Sequence, residues 1–111
     1  MNKMNAVVID DNPAAIADLC NLLEAVPQIE LCGCAANVCD GLKMVHDTRP
    51  DLIFLDVDMP DKNGFDLIDL LKRNREHIPY IVFVTGYDHY ALQALKAGAV
   101  DYILKPVNAE E

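Results

Sequence analysis

The stretch Leu52-Ile53-Phe54-Leu55 is four consecutive apolar residues, and Asp56 follows it directly. A second run of the same kind, Tyr80-Ile81-Val82-Phe83-Val84, leads into Thr85 and Gly86. Short, near-continuous apolar runs rich in Ile, Val and Phe are typical of strands that are buried on both faces of a parallel sheet. These two runs therefore predict central strands, each with a polar residue at its carboxyl end.

Three further apolar runs, at residues 6–9, 29–32 and 100–104, predict the remaining strands. Between the runs, apolar residues recur at helical spacing. The four helical patterns consist of Ile16, Leu19, Leu23 and Val26, then Val38, Leu42 and Val45, then Phe65, Ile68 and Leu71, and last Ala91, Leu92 and Leu95. Strict alternation of strand and helix predicts an α/β domain with a doubly wound parallel sheet.

The ends of two predicted helices carry recognisable signals. Asn12 is a suitable N-cap, and Pro13 suits the first helical position because its missing N–H would have no helical partner there. Gly98 follows the fourth helical pattern, where a glycine can adopt the left-handed conformation that ends many helices. These signals predict a helix that begins at residue 13 and another that ends near residue 97.

Length and composition exclude several classes of protein. A chain of 111 residues, 52% of them hydrophobic, is long enough for one packed domain. Eighteen acidic residues against nine basic ones give a formal charge of −9, which argues against binding of nucleic-acid phosphates. No apolar stretch approaches the ~18 residues of a membrane helix, and the N-terminus is no signal peptide. We therefore expect a soluble, cytoplasmic domain with no direct nucleic-acid contact and no membrane contact.

The four cysteines are Cys20, Cys32, Cys34 and Cys39. Their spacing lacks the two thiolate pairs of a structural zinc site, although Cys32 and Cys34 are predicted to share one face of a strand. The chain is also too rich in aliphatic residues for a disulfide scaffold. We therefore interpret these cysteines as reduced, buried thiols that pack as small hydrophobic side chains.

Polar residues follow four of the predicted strands: Asp10 and Asp11, Asp56, Thr85, and Lys105. Each has a structural explanation by itself, as part of a helix start, a turn, an ordinary strand or a solvated surface. Four such groups at the same edge of the sheet are harder to explain in that way, because ligands of open α/β sheets bind beyond the carboxyl ends of the strands. The pattern therefore favours a functional cleft at this edge.

The residue types in this cleft indicate phosphoryl chemistry. Converging carboxylates repel one another unless a cation compensates, and Mg²⁺ suits carboxylates, waters and phosphate oxygens. A carboxylate beside Mg²⁺ can attack a phosphoryl group. Lys105 would then supply an ammonium and Thr85 a hydroxyl donor to the phosphoryl oxygens, while Gly86 leaves room for the incoming group.

The combination of these motifs resembles the receiver domain of two-component response regulators. The matching motifs are Asp10-Asp11, Asp56-Val57-Asp58-Met59-Pro60 with Gly64, Phe83-Val84-Thr85-Gly86, and Asp101-Tyr102-Ile103-Leu104-Lys105-Pro106. The resemblance covers nearly the whole chain. It implies a flavodoxin-like, five-stranded parallel sheet of order 2-1-3-4-5, with the cleft between the first and third strands.

The resemblance also implies roles for single residues. Asp56 matches the aspartate that takes a phosphoryl group from a sensor histidine kinase. Asp11 and Asp56 match direct Mg²⁺ ligands, the backbone carbonyl of Asp58 a third, and Asp10 a ligand that acts mainly through water.

Further residues of the cleft match switching and structural positions. Thr85 and Tyr102 match the pair whose hydroxyl and ring move on phosphorylation, and Lys105 matches the lysine that pairs with the acceptor. Pro106 would follow a cis peptide bond. The remaining matches are Pro60 and Gly64, which are structural, and Asp58 and Tyr87, which tune hydrolysis of the acyl phosphate.

Three segments, residues 83–92, 99–102 and 27–33, resemble more narrowly the receivers that are joined to LytTR-type DNA-binding domains. This resemblance implies an output in transcription, exerted by a domain outside this chain. Five predicted strands but only four helices indicate a receiver over residues 1–111 whose last helix is truncated. Since a lost helix uncovers apolar surface, we expect a marginally stable monomer or self-association.

The sequence is compatible with two alternatives. Residues 53–58 resemble the opening motif of haloacid-dehalogenase-type aspartyl-phosphate phosphatases, although the acidic pair that should follow the lysine lies at the N-terminus instead. The chain could also be an inert, receiver-like docking module. As a receiver, it is expected to be no enzyme beyond its own phosphorylation and dephosphorylation.

Overall fold

The computed structural model describes residues 3–74 and 77–105. The strands are β1 (Met4–Ile9), β2 (Ile29–Ala35), β3 (Leu52–Leu55), β4 (Tyr80–Thr85) and β5 (Asp101–Leu104). The helices are α1 (Pro13–Glu24), α2 (Val38–Thr48), α3 (Gly64–Arg73) and α4 (Ala91–Lys96). All neighbouring strands pair in parallel, in the order β2-β1-β3-β4-β5, which confirms the predicted flavodoxin-like fold.

The central strands separate two hydrophobic cores. One core lies between the sheet and helices α2, α3 and α4, and the other lies between the sheet and α1. β3 is buried along its whole length because helices cover both of its faces, as its unbroken apolar sequence predicts. The two cores hold β1 and β3 firmly, so the residues that follow these strands have fixed positions.

Side chains cap the helices that begin next to the cleft. The Asn12 side chain accepts a hydrogen bond from the backbone N–H of Ala14 (2.9 Å), and Pro13 is the first residue of α1, as predicted. At the start of α3, Asn63 and Asp66 each accept a hydrogen bond from the other's backbone N–H. This reciprocal pair satisfies two N–H groups that the helix leaves without partners, and it fixes the loop between β3 and α3.

β2 continues three residues beyond its predicted end and contains an extra residue. Ala6 and Val7 pair with Leu31 and Gly33, so Cys32 has no partner in β1. Leu31 packs in the core on the α1 side, whereas Gly33 faces Met44 of α2. The irregularity therefore interrupts the alternation of side chains that the sequence analysis assumed for this strand.

The interpretation of the cysteines as buried side chains is wrong. Cys32, Cys34 and Cys39 are exposed and Cys20 is half-buried, because β2 is an edge strand and Cys39 lies in the first turn of α2 on the solvent side. All four are free thiols. The Sγ atoms of Cys20 and Cys34 lie 3.9 Å apart, and burial together with Cys34 raises the pKa of the Cys20 thiol to about 11.

The α4–β5 end of the sheet is the least covered part of the described chain. α4 has only six residues, and its N-cap residue Tyr90 makes no capping hydrogen bond with its side chain. Gly98 follows α4 with φ +94°, as predicted for the residue after the helix end. Leu92, Leu95 and Val100 are exposed.

Several sequence predictions concern residues outside the described ranges. The predictions of a cis peptide bond before Pro106 and of a truncated last helix concern residues there, and the expected self-association remains a prediction. Over residues 3–74 and 77–105, no helix combines the length and the apolar character that crossing a membrane requires.

Candidate functional site

Three carboxylates meet at the carboxyl edge of β1 and β3. Asp10 and Asp56 are 4% and 6% exposed, whereas Asp11 is exposed. The backbone N–H of Asp56 donates to the Ile9 carbonyl (2.9 Å), which continues the pairing of the two strands. One oxygen from each carboxylate lies within 4.8 Å of the other two. Such a group of oxygen ligands fits a hard divalent cation such as Mg²⁺.

Lys105 brings a positive charge to this group from the end of β5. Its Nζ atom lies 2.7 Å from Oδ2 of Asp10 and 3.3 Å from Oδ2 of Asp56. The Lys105 backbone N–H donates to the Thr85 carbonyl (2.8 Å), which extends the β4–β5 pairing to the cleft. The sequence predicted the contact with Asp56, but the shorter contact with Asp10 was not expected.

Burial and charge shift the pKa values of this cluster. Burial and the neighbouring Asp10 raise the pKa of Asp56 from 3.8 to about 6, although Lys105 acts in the opposite direction. Burial lowers the pKa of Lys105, but its hydrogen bond to Asp10 and the attraction of Asp56 outweigh this effect and leave the pKa above its ordinary value. Lys105 is therefore an ammonium at neutral pH, and Asp56 is a carboxylate that gains from added positive charge.

Thr85 contributes a hydroxyl that lacks a partner. The residue is fully buried at the end of β4, and its Oγ1 atom has no hydrogen-bond partner within the described part of the chain. A buried hydroxyl without a partner is unfavourable, and such groups are uncommon in folded proteins. The atom is therefore ready to bind an acceptor that enters the cleft.

Apart from Asp10, these groups border one open cleft of about 630 Å³. Its lining consists of Asp11, Asn12, Pro13, Asp56, Asp58, Thr85, Gly86, Tyr87 and Lys105. The predicted site residues from the ends of β1, β3, β4 and β5 therefore surround the same space. Tyr102 does not line this cleft, because its ring packs beside Phe83 and its hydroxyl donates to the Tyr87 carbonyl.

Gly64, Gly86 and Pro60, the small or rigid residues of the site, differ in their surroundings. A Cβ atom at Gly64 would lie 2.4 Å from the carbonyl oxygen of Asp56, so only glycine fits there. A Cβ atom at Gly86 would meet nothing within 4 Å, so the free domain does not itself require a glycine at this position. Pro60 is exposed in the loop between β3 and α3, where its carbonyl accepts from the Lys62 N–H (2.8 Å).

Tyr90 is a residue of the site that the sequence analysis missed. Its hydroxyl donates to Oδ1 of Asp58 (3.1 Å), and this hydrogen bond raises the pKa of the Tyr90 phenol. The two residues are 32 positions apart, and their contact depends on how two loops fold. No local signal in the sequence could have revealed it.

The receiver model of response regulators matches residues 6–111 of the chain. The sensory transduction protein LytT of Bacillus cereus is 43% identical over 96% of this chain and 43% of its own length. The transcriptional regulatory protein BtsR of Salmonella typhi is 40% identical over 94% of this chain and 43% of its own length. The chain thus spans less than half the length of these relatives.

A solved structure supports the same assignment. The response regulatory domain of protein mrkE from Klebsiella pneumoniae superposes with a TM-score of 0.84 at 32% identity, covering 96% of this chain and 87% of that domain. These comparisons do not favour the phosphatase alternative. The chain belongs to the family of response regulator receiver domains.

Proposed function

We propose that this domain accepts a phosphoryl group on Asp56 from a sensor histidine kinase, in the presence of Mg²⁺, and passes the signal to an output. The observation that carries the proposal is the presence of three carboxylates, one ammonium and one unpartnered hydroxyl at the same edge of the sheet. Carboxylates and cations arranged in this way suit phosphoryl transfer, where positioning and charge provide most of the catalysis.

In the proposed reaction, a carboxylate oxygen of Asp56 attacks the phosphorus of a phosphohistidine. The P–N bond breaks, and the imidazole nitrogen leaves with its electron pair. Mg²⁺ held by Asp11, Asp56 and the Asp58 carbonyl, with Asp10 acting through water, would offset charge on the phosphoryl oxygens. With a pKa of about 6, Asp56 is largely ionised at pH 7.5 and can act as the nucleophile.

Lys105 and Thr85 have separate tasks in this proposal. Lys105 already contacts Oδ2 of Asp56, so its ammonium can follow the charge onto the phosphoryl oxygens. The Thr85 hydroxyl can donate to one of the same oxygens and thereby gain the partner that it lacks in the free domain. Phosphorylation adds roughly −1.5 to −2 charge at neutral pH, and both groups are attracted to it. Tyr102 lies in β5, which pairs with β4, and we propose it as the aromatic residue that responds to the movement of Thr85 and Lys105.

The output is proposed to be transcription, exerted by a part of the protein outside this chain. The name of the BtsR relative, a transcriptional regulatory protein, and the similarity of residues 83–92 to LytTR-type receivers support this part of the proposal. The acidic receiver would make no direct contact with DNA. Since the phosphoryl donor is a sensor kinase, we expect the domain to act in the cytoplasm.

The test is intact mass spectrometry after incubation with Mg²⁺ and a small acyl-phosphate donor. We expect one labile phosphoryl adduct, which is absent without Mg²⁺ and absent in Asp56→Asn. Asp69→Asn is a matched control, because Asp69 is an exposed carboxylate on α3 outside the cleft, and it should retain the adduct. Absence of an adduct on the unaltered chain would favour the inert docking module, and an adduct on Asp56→Asn would exclude Asp56 as the acceptor.

A further inference from the structure

The hydrogen bond between Tyr90 and Asp58 joins two loops at the rim of the cleft. Asp58 lies two residues after the proposed acceptor, and its exposed side chain borders the cleft. Tyr90 immediately precedes α4 and does not line the cleft itself. Its hydroxyl donates to Oδ1 of Asp58 across a distance of 3.1 Å. One oxygen of a carboxylate near the acceptor is therefore occupied by a group from outside the cleft.

The packing of the Tyr90 ring fixes the position of this hydroxyl. The ring centroid lies 6.1 Å from that of Phe65 in α3 and 4.1 Å from that of His89. Tyr87 packs edge-on against it at 6.3 Å. Phe65 in turn packs against the buried Phe83 of β4 at 4.9 Å. A half-buried aromatic ring held from several sides cannot follow a freely moving carboxylate, so the ring sets where Asp58 lies.

We propose that Tyr90 is a positioning residue that holds the Asp58 carboxylate at the rim of the cleft and thereby slows the loss of the phosphoryl group to water. This inference rests on the proposed function of Asp56 as phosphoryl acceptor. It assigns to Tyr90 the control of how long the signal lasts, through Asp58 and without direct contact with the phosphoryl group.

The chemistry of hydrolysis explains the direction of the effect. A water oxygen attacks the phosphorus, the bond between phosphorus and the Asp56 oxygen breaks, and Asp56 leaves as a carboxylate. The water gives up a proton as inorganic phosphate forms. A carboxylate within reach can accept that proton or orient the water, which speeds such reactions. The bond from Tyr90 occupies one Asp58 oxygen and holds the other in place, so Asp58 is less available as this acceptor.

The experiment measures the half-life of the phosphoryl adduct by mass spectrometry after removal of the donor, with Mg²⁺ constant. In Tyr90→Phe, which keeps the ring but lacks the hydroxyl, we expect the half-life to shorten at least threefold. Tyr80→Phe is the matched control, because Tyr80 is 61% exposed at the amino end of β4, away from the cleft. Its half-life should equal that of the unaltered chain.

A second variant tests whether Tyr90 acts through Asp58. In an Asp58→Asn background, Tyr90→Phe should leave the half-life unchanged, since the carboxylate that it would release is gone. The carboxyl-carbon NMR resonance of Asp58 should also shift in Tyr90→Phe and keep its position in Tyr80→Phe. A purely structural role of Tyr90 would not produce this dependence on Asp58.

Several outcomes would overturn the inference. An unchanged or longer half-life in Tyr90→Phe excludes the proposed direction. If Tyr90→Phe shortens the half-life of the adduct equally with and without Asp58→Asn, Tyr90 acts through the packing of its own loop and not through Asp58. An unmoved Asp58 resonance means that the hydrogen bond is absent in solution. Failure of the unaltered chain to form any adduct would instead refute the proposed function and the inference with it, so the two failures are distinguishable.

Discussion

The two helices that follow β3 and β4 in the chain, α3 and α4, differ in how firmly the fold holds them. α3 has ten residues, five of them buried, and a reciprocal cap formed by Asn63 and Asp66. α4 has six residues, of which only Ala94 is buried, and no side chain caps its start. The difference continues into the adjoining strands, because β3 is fully buried whereas every residue of β5 is exposed or half-buried.

This contrast shows how the molecule divides its tasks. The strongly packed side carries Asp56, which must keep its geometry for phosphoryl transfer. Thr85 and Lys105, which we propose to contact the phosphoryl group, lie at the ends of the two strands next to the weakly packed side. Segments with few buried apolar contacts open and shift at low free-energy cost. A signal that begins at Asp56 is therefore expected to emerge through α4 and β5.

The largest expected effect tests the contrast in packing directly. Leu67 of α3 is fully buried, whereas Leu95 of α4 is 69% exposed. Leu67→Ala should lower the free energy of unfolding by about 3 kcal/mol through lost burial and a cavity, and Leu95→Ala by less than about 0.5 kcal/mol. Urea denaturation of both variants measures the two values. Similar losses in the two helices would refute the division into a strongly and a weakly packed side.

A smaller effect is expected from two glycines on opposite sides of the cleft. Gly64→Ala places a methyl group 2.4 Å from the Asp56 carbonyl oxygen, so the backbone must shift, at a cost of roughly 2 kcal/mol. Gly86→Ala places its methyl group in open space and should change stability by less than about 0.5 kcal/mol. Thermal melting of the two variants makes the comparison. A neutral Gly64→Ala would mean that the loop after Asp56 is less rigid than the structure indicates.

The third prediction concerns the loss of stability that the buried charge of Asp56 causes on the strongly packed side. Because the pKa of Asp56 is raised from 3.8 to about 6 in the folded state, the folded state binds a proton more tightly than the unfolded chain. The contribution of Asp56 to stability is therefore greatest below pH 4 and is lost as the pH rises through 6. At ~1.4 kcal/mol per pKa unit, the upper limit of this loss is about 3 kcal/mol.

Asp56→Asn should accordingly raise the free energy of unfolding at pH 7.5 by about 1 to 2 kcal/mol, which is less than the upper limit because the variant loses the attraction to Lys105. The gain should shrink as the pH falls to 4.5. Urea denaturation in the presence of a chelator, which removes divalent cations, measures it at both values. Destabilisation at pH 7.5 would show that the bond to Lys105 outweighs burial and the repulsion by Asp10.

The sequence patterns were sufficient to predict an alternating α/β domain and the edge of the sheet where the site lies, whereas the strand order was implied by the resemblance to receiver domains. Alternating apolar runs and helical patterns indicate an α/β order, and parallel strands bring their carboxyl ends to one edge, so Asp10, Asp56, Thr85 and Lys105 were expected to lie close together. Helix ends at Pro13 and Gly98 also follow from local backbone preferences. These features depend on short-range patterns and on general rules of chain connection.

Contacts between loops could not be predicted in the same way. The bond from Tyr90 to Asp58 and the close approach of Lys105 to Asp10 depend on loop paths and side-chain rotamers over long sequence separations. The exposure of the cysteines was missed for a related reason. Apolar content predicted that β2 is a strand, but the sequence pattern did not show that it lies at the edge or that Cys32 is an extra residue.

The extra residue in β2 has a consequence for the behaviour of the domain at high concentration. An edge strand exposes unpaired N–H and C=O groups that can template the addition of a strand from another molecule. At Cys32 the regular spacing of these groups is broken, and the strand bends locally. A second chain could therefore align with only part of β2 at a time. We therefore expect the irregularity to disfavour edge-to-edge aggregation through the free edge of this largely apolar strand.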